Sequence, residues 1–324
     1  MRKIIIKTNP CIYCGHFVHY MEYLYWCIDI ILNETVFECI IVEPLNKSDS
    51  RYVNSFKRKI LEKFPNVTFI NEKRSILKKI LERVRRIIFK YKRPKYSYKR
   101  PFIKNLFNRE TVYKEYVFSF NSRRKGYFYL NNKIIPGSIL DFFPNNKSHV
   151  MRNLFFNNED NIIKIGLVNR QKNRILINHN ELSVRIKEKF NINVDTTYFE
   201  DKSFEYQTKF FNDHKIIISP HGAQLCSIPF AQDDSLIIEC VHEEWHPYPY
   251  FPSLSFTSNK YHCMICDDHK PFPQWWTDKY INKKRGSSDN SRLNIVVNID
   301  KIINVIDIYL KNNNKLENYY CHLL

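Results

Sequence analysis

Three groups of residues have types and spacing that could hold an anion or move a proton. In the stretch Lys215 to Cys240, a β-branched run from Ile216 to Ile218 stops at Ser219-Pro220. His221 and Gly222 follow, an apolar segment of helical length begins at Ala223, and a second apolar run spans Leu236 to Ile238. The order predicts strand, tight turn, helix and strand. Gly222 lets backbone approach a ligand closely, and a helix starting near Ala223 would aim N–H groups and its positive dipole end at the same place, which suits a phosphate. His221 would serve there as a donor to a phosphate oxygen or as a proton carrier, although a histidine capping any α/β turn leaves the same pattern. Arg170 and Arg174 form the second group, permanent cations with forked donors at the end of a predicted strand, suited to clamping a diphosphate. A solvated turn in a basic protein is the plainer alternative for them. The third group is His16, His19 and Glu22, spaced i, i+3 and i+6 at the opening of an apolar helix. They could supply a base, or the histidines could be satisfied by backbone carbonyls in a core.

The elements that must position these groups alternate. Residues 3 to 6 read as a strand, Phe17 to Leu32 as an aromatic-rich helix, Val36 to Val42 as a strand, Val53 to Phe64 as a helix and Val67 to Ile70 as a strand. A basic helix, Ile76 to Ile88, comes next, then short strands at Tyr113 to Phe120 and Gly126 to Leu130. Pro136-Gly137 and the region of Pro144 mark irregular ground, and the linker is placed at Pro144 to Asn158. A second series follows: strand Ile162 to Val168, helix Asn180 to Phe190, strand Asn193 to Tyr198, helix Phe204 to Phe211, then the strand at Lys215. From Val241 to Trp276 the chain is aromatic and Pro-rich, which predicts an ordered loop region over a site. Leu293 to Val297 reads as a last strand and Asp300 to Leu310 as an amphipathic helix. This alternation indicates an α/β chain built from βαβ units on parallel sheets. Its expected organisation is an N-terminal α/β domain over 1–150, a second α/β domain over 151–290, and a strand and helix over 291–324 that pack back on them.

Charge and cysteine content narrow the classes. The formal net charge is +18 over 324 residues. The segment 73–104 carries fourteen Lys or Arg against one acid, Glu82, and so supplies +13 of that total. An anionic surface or acidic partner is expected for this segment, and nucleic acid is not, because the basic run is confined while Arg170, Arg174 and His221 lie elsewhere. The rival reading is a basic protein that binds nucleic acid or a membrane surface on an α/β scaffold. The nine cysteines predict reduced thiols, and Cys11-x-x-Cys14 with Cys263-x-x-Cys266 is not read as a zinc site. The short apolar run near the N-terminus and the lack of a long one predict neither signal peptide nor transmembrane segment, hence a soluble, cytoplasmic protein. Abundant Lys, Ile and Asn with two alanines point to an AT-rich genome, such as that of a large virus or a protist.

The ordered series Asn169-Arg170, Arg174-Ile175, Asn178, Glu181-Leu182, Phe199-Glu200, Ser203-Phe204, Gln207, His221-Gly222-Ala223, Leu225 and Ile237-Ile238-Glu239 resembles glycosyltransferase family 61. The match covers roughly residues 160 to 245, and Cys14 to Leu24 more loosely resembles a His-containing helix start in the family's amino-terminal half. The resemblance implies two Rossmann-like domains facing across a cleft (the GT-B type), an inverting mechanism, a nucleotide-sugar donor, a glycan acceptor and no cofactor or divalent metal. Known members transfer xylose, arabinose or N-acetylglucosamine, and a UDP-sugar with xylose is the first expectation here. The chain departs from the usual His-Gly-Ala-Gly-Leu-Thr-Asn at Gln224, Cys226 and Ser227. Consistent with metal independence, no aspartate lies two residues from another, so there is no Asp-x-Asp and the leaving group's charge must be met by protein cations and amides. The donor-binding set is then Arg170, Arg174, Asn178, Ser219, His221, Gly222, Ala223 and Glu239. The base is expected from His16 first, then Glu22 and His19. Glu239, ending its strand, is expected to accept from ribose hydroxyls, and Glu200 and Gln207 to fix the local turn or touch the donor.

Overall fold

The computed structural model describes residues 2–8, 17–33, 38–44, 47, 50–71, 112–118, 126–130, 133–137, 149–156, 162–242, 251, 254–255, 260–266 and 292–311. The chain divides into two units, 1–121 and 122–324.

In the first unit β1 (Arg2–Thr8), β2 (Glu38–Glu43), β3 (Val67–Asn71) and β4 (Val112–Phe118) pair in parallel in the order β3-β2-β1-β4. Helix α1 (Phe17–Asn33) joins β1 to β2. It buries Tyr20, Met21, Tyr23, Leu24, Tyr25, Cys27 and Ile28, as an almost wholly apolar helix must. The buried tyrosines keep their hydroxyls satisfied: Tyr20 donates to Glu43 Oε1 at 2.5 Å, and Tyr23 reaches Val42 O at 2.9 Å. Burial alone would raise the Glu43 carboxyl, but Lys47, Lys57 and Tyr20 outweigh it and hold it low. Helix α2 (Arg51–Lys63) begins where Ser50 accepts from Val53 N and turns Tyr52, Val53, Phe56 and Ile60 inward. Removing such a cap costs about 1 kcal/mol. The basic segment 73–104 lies outside the described residues, as do His16 and the side chains of His19 and Glu22.

The second unit opens with an antiparallel pair, β5 (Gly126–Leu130) and β6 (Lys133–Gly137). Pro136-Gly137 therefore ends a strand rather than marking irregular chain, Pro136 standing opposite Tyr127 on a two-stranded ribbon where a missing N–H is tolerated. Part of the stretch read as linker is helical: α3 (His149–Phe155) sets Phe155 against Phe204 and Phe230, and Arg152 Nε donates to Asn212 Oδ1 at 3.0 Å.

The main sheet contains β7 (Ile165–Asn169), β8 (Val194–Tyr198), β9 (Ile216–Pro220), β10 (Leu236–Val241) and β11 (Tyr261–Cys266). All pairings are parallel, in the order β11-β10-β9-β7-β8. Helices α4 (His179–Phe190), α5 (Phe204–Asp213) and α6 (Ile299–Lys311) cover it. One face carries Ile165, Leu167, Ile216, Ile218, Ile238, Cys240 and Cys263 into a core with Leu182 and Ile186 of α4 and Ile302, Ile306 and Tyr309 of α6. Each such fully buried aliphatic side chain contributes roughly 1.5–3 kcal/mol. Strand period 2 puts Gly166, Ile217, Ser219, Ile237, Glu239 and His262 on the other face.

Two expectations give way here. The Pro-rich stretch 241–276 contributes β11, and just before it the Lys260 ammonium, buried and lowered by that burial to about 8, meets Asp233 at 3.0 Å. The last strand reduces to isolated bridge positions at Ile295 and Val297, Ile295 pairing with Leu176 in a loop and not with the sheet.

Gly166 marks the closest approach of helix to sheet. A Cβ there would lie 2.6 Å from the Phe210 ring and 2.9 Å from His214. Gly166→Ala is expected to lower the urea midpoint with an unchanged slope, by roughly 1–3 kcal/mol of overpacking; an unchanged midpoint would show that the Phe210 ring yields.

Candidate active site

The sheet order reverses between β7 and β9, the place in a doubly wound sheet where strands leave a crevice at their carboxyl ends. Asn169 closes β7. Its buried Oδ1 accepts from Arg170 N at 2.8 Å and from Leu176 N at 2.9 Å, and its Nδ2 donates to Leu176 O at 3.2 Å. One amide thus staples both ends of the loop 170–175, which presents Arg170 and Arg174. Arg174 has φ 62°, a left-handed conformation that disfavours a side chain by about 1–2 kcal/mol. The loop's far end is strapped by residues 294–297: Ile175 N donates to Asn294 Oδ1 at 3.1 Å, and Ile295 N donates to Ile175 O at 2.8 Å. Asn178, expected at the donor, has its amide engaged with both backbone groups of Val297, at 2.9 and 3.0 Å.

Pro220 ends β9, and His221 N bonds Cys240 O at 2.9 Å before the chain leaves the sheet. Residues Ala223–Phe230 form a 3₁₀ helix rather than the α-helix expected, with Pro229 inside it. Proline removes a donor and clashes with the carbonyl four residues back, so the tighter ladder is the one this short buried run can make. Gly222 is extended, so its need is steric: a Cβ would collide with Arg170 Nη1 and the Gln224 side chain. Gln224, one of the departures noted above, donates from Nε2 to Pro220 O at 2.7 Å and to Ser219 Oγ at 3.1 Å, leaving Oε1 facing Arg170 Nη1 at 3.4 Å. Ser219 is fully buried and Ala223 exposed.

Arg170, Arg174, Ser219, His221, Gly222, Ala223 and Glu239 therefore meet at one end of the sheet. Burial lowers the Arg170 guanidinium while Glu200 opposes the shift; burial and Arg170 together bring Arg174 to about 10, with Glu239 opposing. Both stay cationic at neutral pH. The buried Arg170 Nε has no hydrogen-bond partner among the described residues. Such a donor normally finds an acceptor, so a place for one is implied. Glu200 takes the Gln171 N–H at 2.9 Å, and Gln207 donates to Lys202 O at 3.0 Å, so both fix turns.

His221 Nδ1 makes a short bond to Glu239 Oε1. The other oxygen, Oε2, accepts from His262 Nε2 at 2.7 Å, and His262 Nδ1 lies 2.6 Å from Ser255 Oγ. Glu239 is in register with Ser219 on β9, and His262, paired with Ile237, is its diagonal neighbour on the same face. Both Glu239 oxygens are thus engaged by imidazoles, not poised for a ribose. Burial would raise this carboxyl, but His221 and His262 prevail and hold it at about 2. Burial pushes the His221 imidazole down against the pull of Glu239, and the two arginines add to the burial. The expected set lacked His262, Ser255 and Gln224. Only alternation on β11 could have flagged His262, and no strand was read there.

The site is thus a parallel α/β sheet with guanidinium groups and a carboxylate-held histidine at its switch point. The sequence profile of Glycosyltransferase 61 matches residues 15–238, and the chain belongs to that family. The resemblance read from the motif residues is thereby borne out. Two relatives, each described as protein O-linked-mannose beta-1,4-N-acetylglucosaminyltransferase 2, come from Xenopus tropicalis and Xenopus laevis. Each is 28% identical over 88 residues, 27% of this chain and 15% of the relative's length.

The acid response follows from these groups. His221 titrates below its ordinary 6.5 when folded, so it adds stability above that pH and loses it as pH falls. Glu239 adds a second window, from 4.5 down to about 2. The urea midpoint should therefore fall steadily below about pH 6.5, and His221→Gln should remove the upper part of that fall and narrow the lower, because His221 is one of the two imidazoles that hold Glu239 low. A flat midpoint between about pH 6.5 and 4.5 would contradict this assignment.

Proposed function

We propose that this protein is a metal-independent, inverting glycosyltransferase that moves a sugar from a UDP-sugar to a glycan hydroxyl. One observation carries the reading: at the strand-order reversal the Arg170 guanidinium, its buried Nε without a partner among the described residues, lies over Gly222, and both it and the partly buried Arg174 bear electrostatically on His221. Two fixed cations suit a departing diphosphate, as Mg²⁺ does where Asp-x-Asp is present. For the sugar, xylose is the expectation from the resemblance, whereas the name borne by the two Xenopus relatives favours N-acetylglucosamine and a mannose-bearing acceptor.

In the proposed reaction an acceptor oxygen bonds the anomeric carbon on the face opposite the breaking bond to UDP. The electron pair of that bond leaves on the β-phosphate. The acceptor proton passes to a base, for which His16, then Glu22 and His19, remain the candidates. Arg170, Arg174 and His221 meet the charge that develops on UDP. The two parallel α/β units fit a GT-B arrangement, which belongs to the proposal along with cytoplasmic action. Among the described residues no helix is long and apolar enough to cross a membrane.

A panel of UDP-sugars, assayed for transfer and hydrolysis with and without chelator, tests the reading. Turnover that survives chelation, with UDP-N-acetylglucosamine or UDP-xylose preferred, is the expected result; turnover abolished by chelator contradicts it. Arg170→Ala and His221→Ala should each weaken UDP binding roughly tenfold to a hundredfold, the worth of a hydrogen bond to a charged group. His16→Ala should lower kcat and retain UDP affinity. An unchanged kcat removes His16 from the mechanism.

A further inference from the structure

The family profile ends at residue 238, one position before Glu239. Everything that holds the far side of this carboxylate lies beyond it. We infer that His262 and Ser255 are positioning residues that, through Glu239, set the tautomer and proton affinity of His221, and so the pH dependence of donor binding. The inference rests on the glycosyltransferase reading only in its last clause.

The geometry is a single file of polar groups with no exposed link before His221. Ser255 Oγ lies 2.6 Å from His262 Nδ1, His262 Nε2 lies 2.7 Å from Glu239 Oε2, and Glu239 Oε1 meets His221 Nδ1. The His262 and Glu239 side chains are both 0% exposed. An ionised carboxylate can only accept, so the ring nitrogens facing it both carry hydrogen: Nε2–H on His262 and Nδ1–H on His221. A neutral His221 then has Nε2 as its acceptor nitrogen.

Ser255 completes the logic. Its hydroxyl donates to His262 Nδ1 when that ring is neutral and accepts from it when the ring is charged. With hydrogen on Nε2 facing Glu239, Nδ1 is left to accept, and the hydroxyl is then the donor. Donation into Nδ1 polarises the ring and strengthens its Nε2–H bond to Glu239. The one negative charge of Glu239 is thus partly engaged from behind, and the remainder faces His221. Opposing it on His221 are Arg170 and Arg174 from the loop after β7, while the Phe251 ring, 5.0 Å away between centroids, supplies no charge. Lengthening or removing the His262 bond would leave Glu239 more basic and make His221 easier to protonate.

The test compares His262→Leu, His262→Gln and Ser255→Ala with the wild type in the full chain. Nitrogen chemical shifts of the His221 ring, followed against pH without nucleotide, report the histidine directly. His262→Leu should move the His221 titration toward alkaline pH and shift the pH dependence of UDP affinity with it. His262→Gln, whose amide N–H can occupy the place of Nε2–H, should restore both. Ser255→Ala should move His221 the same way by a smaller step. If His262→Leu fails to fold, the glutamine and alanine variants decide by the same titration. An unmoved His221 in the leucine and alanine variants, or equal movement with leucine and glutamine, overturns the inference. Absence of UDP binding in the wild type would count against the glycosyltransferase reading and against the donor-binding clause, with the nucleotide-free titration still deciding the relay.

Discussion

Like charges held together away from water are the constraint on which this part of the molecule turns. Arg170 sits close enough to Arg174 to depress its protonation, and neither is freely solvated. Coulomb repulsion between such groups weakens only slowly at low effective dielectric. Glu200 opposes the shift on Arg170 and Glu239 that on Arg174, yet both Glu239 oxygens are engaged by His221 and His262. The buried Arg170 Nε is left without a hydrogen-bond partner among the described residues.

The surrounding structure is organised to tolerate that arrangement. Asn169 fixes both ends of the arginine loop, the strap at 294–297 holds its far side, and Arg174 accepts a left-handed backbone. Strain of this kind persists only where neighbouring bonds over-determine the conformation, and it collects at functional sites. Gly222 keeps the approach open for the Arg170 guanidinium, while Gln224 offers it a long, weak oxygen contact that a better acceptor could displace. Cradle and relay thus share one origin, the carboxyl ends of β7, β9 and β10, and differ in solvation. The cradle has a donor awaiting an acceptor, whereas the relay is satisfied throughout.

Much of this was legible in the residues, for physical reasons that can be named. Alternation of β-branched runs with amphipathic segments is strong wherever both faces of a strand are buried, and β1, β7, β9 and β10 were found within a few residues on that signal. The glycine after His221 marked a close approach, and the structure assigns it to an arginine side chain. The 3₁₀ helix was harder to read, because its apolar run has helical length and only Pro229 argues against a regular α-helix. Strand β11 was hidden by Pro and aromatic residues on both sides of a six-residue run, Tyr261–Cys266, and with it His262. Asn178 shows the limit of motif reading: a side chain that bonds both groups of one backbone residue, Val297, leaves no mark in local sequence.

The most direct test of the central claim is a crystal structure with UDP. The account predicts the β-phosphate within hydrogen-bonding distance of the Arg170 and Arg174 guanidinium groups, beside Gly222 and His221. A diphosphate bound elsewhere on the chain, with those guanidinium groups facing water or other protein groups, would contradict it.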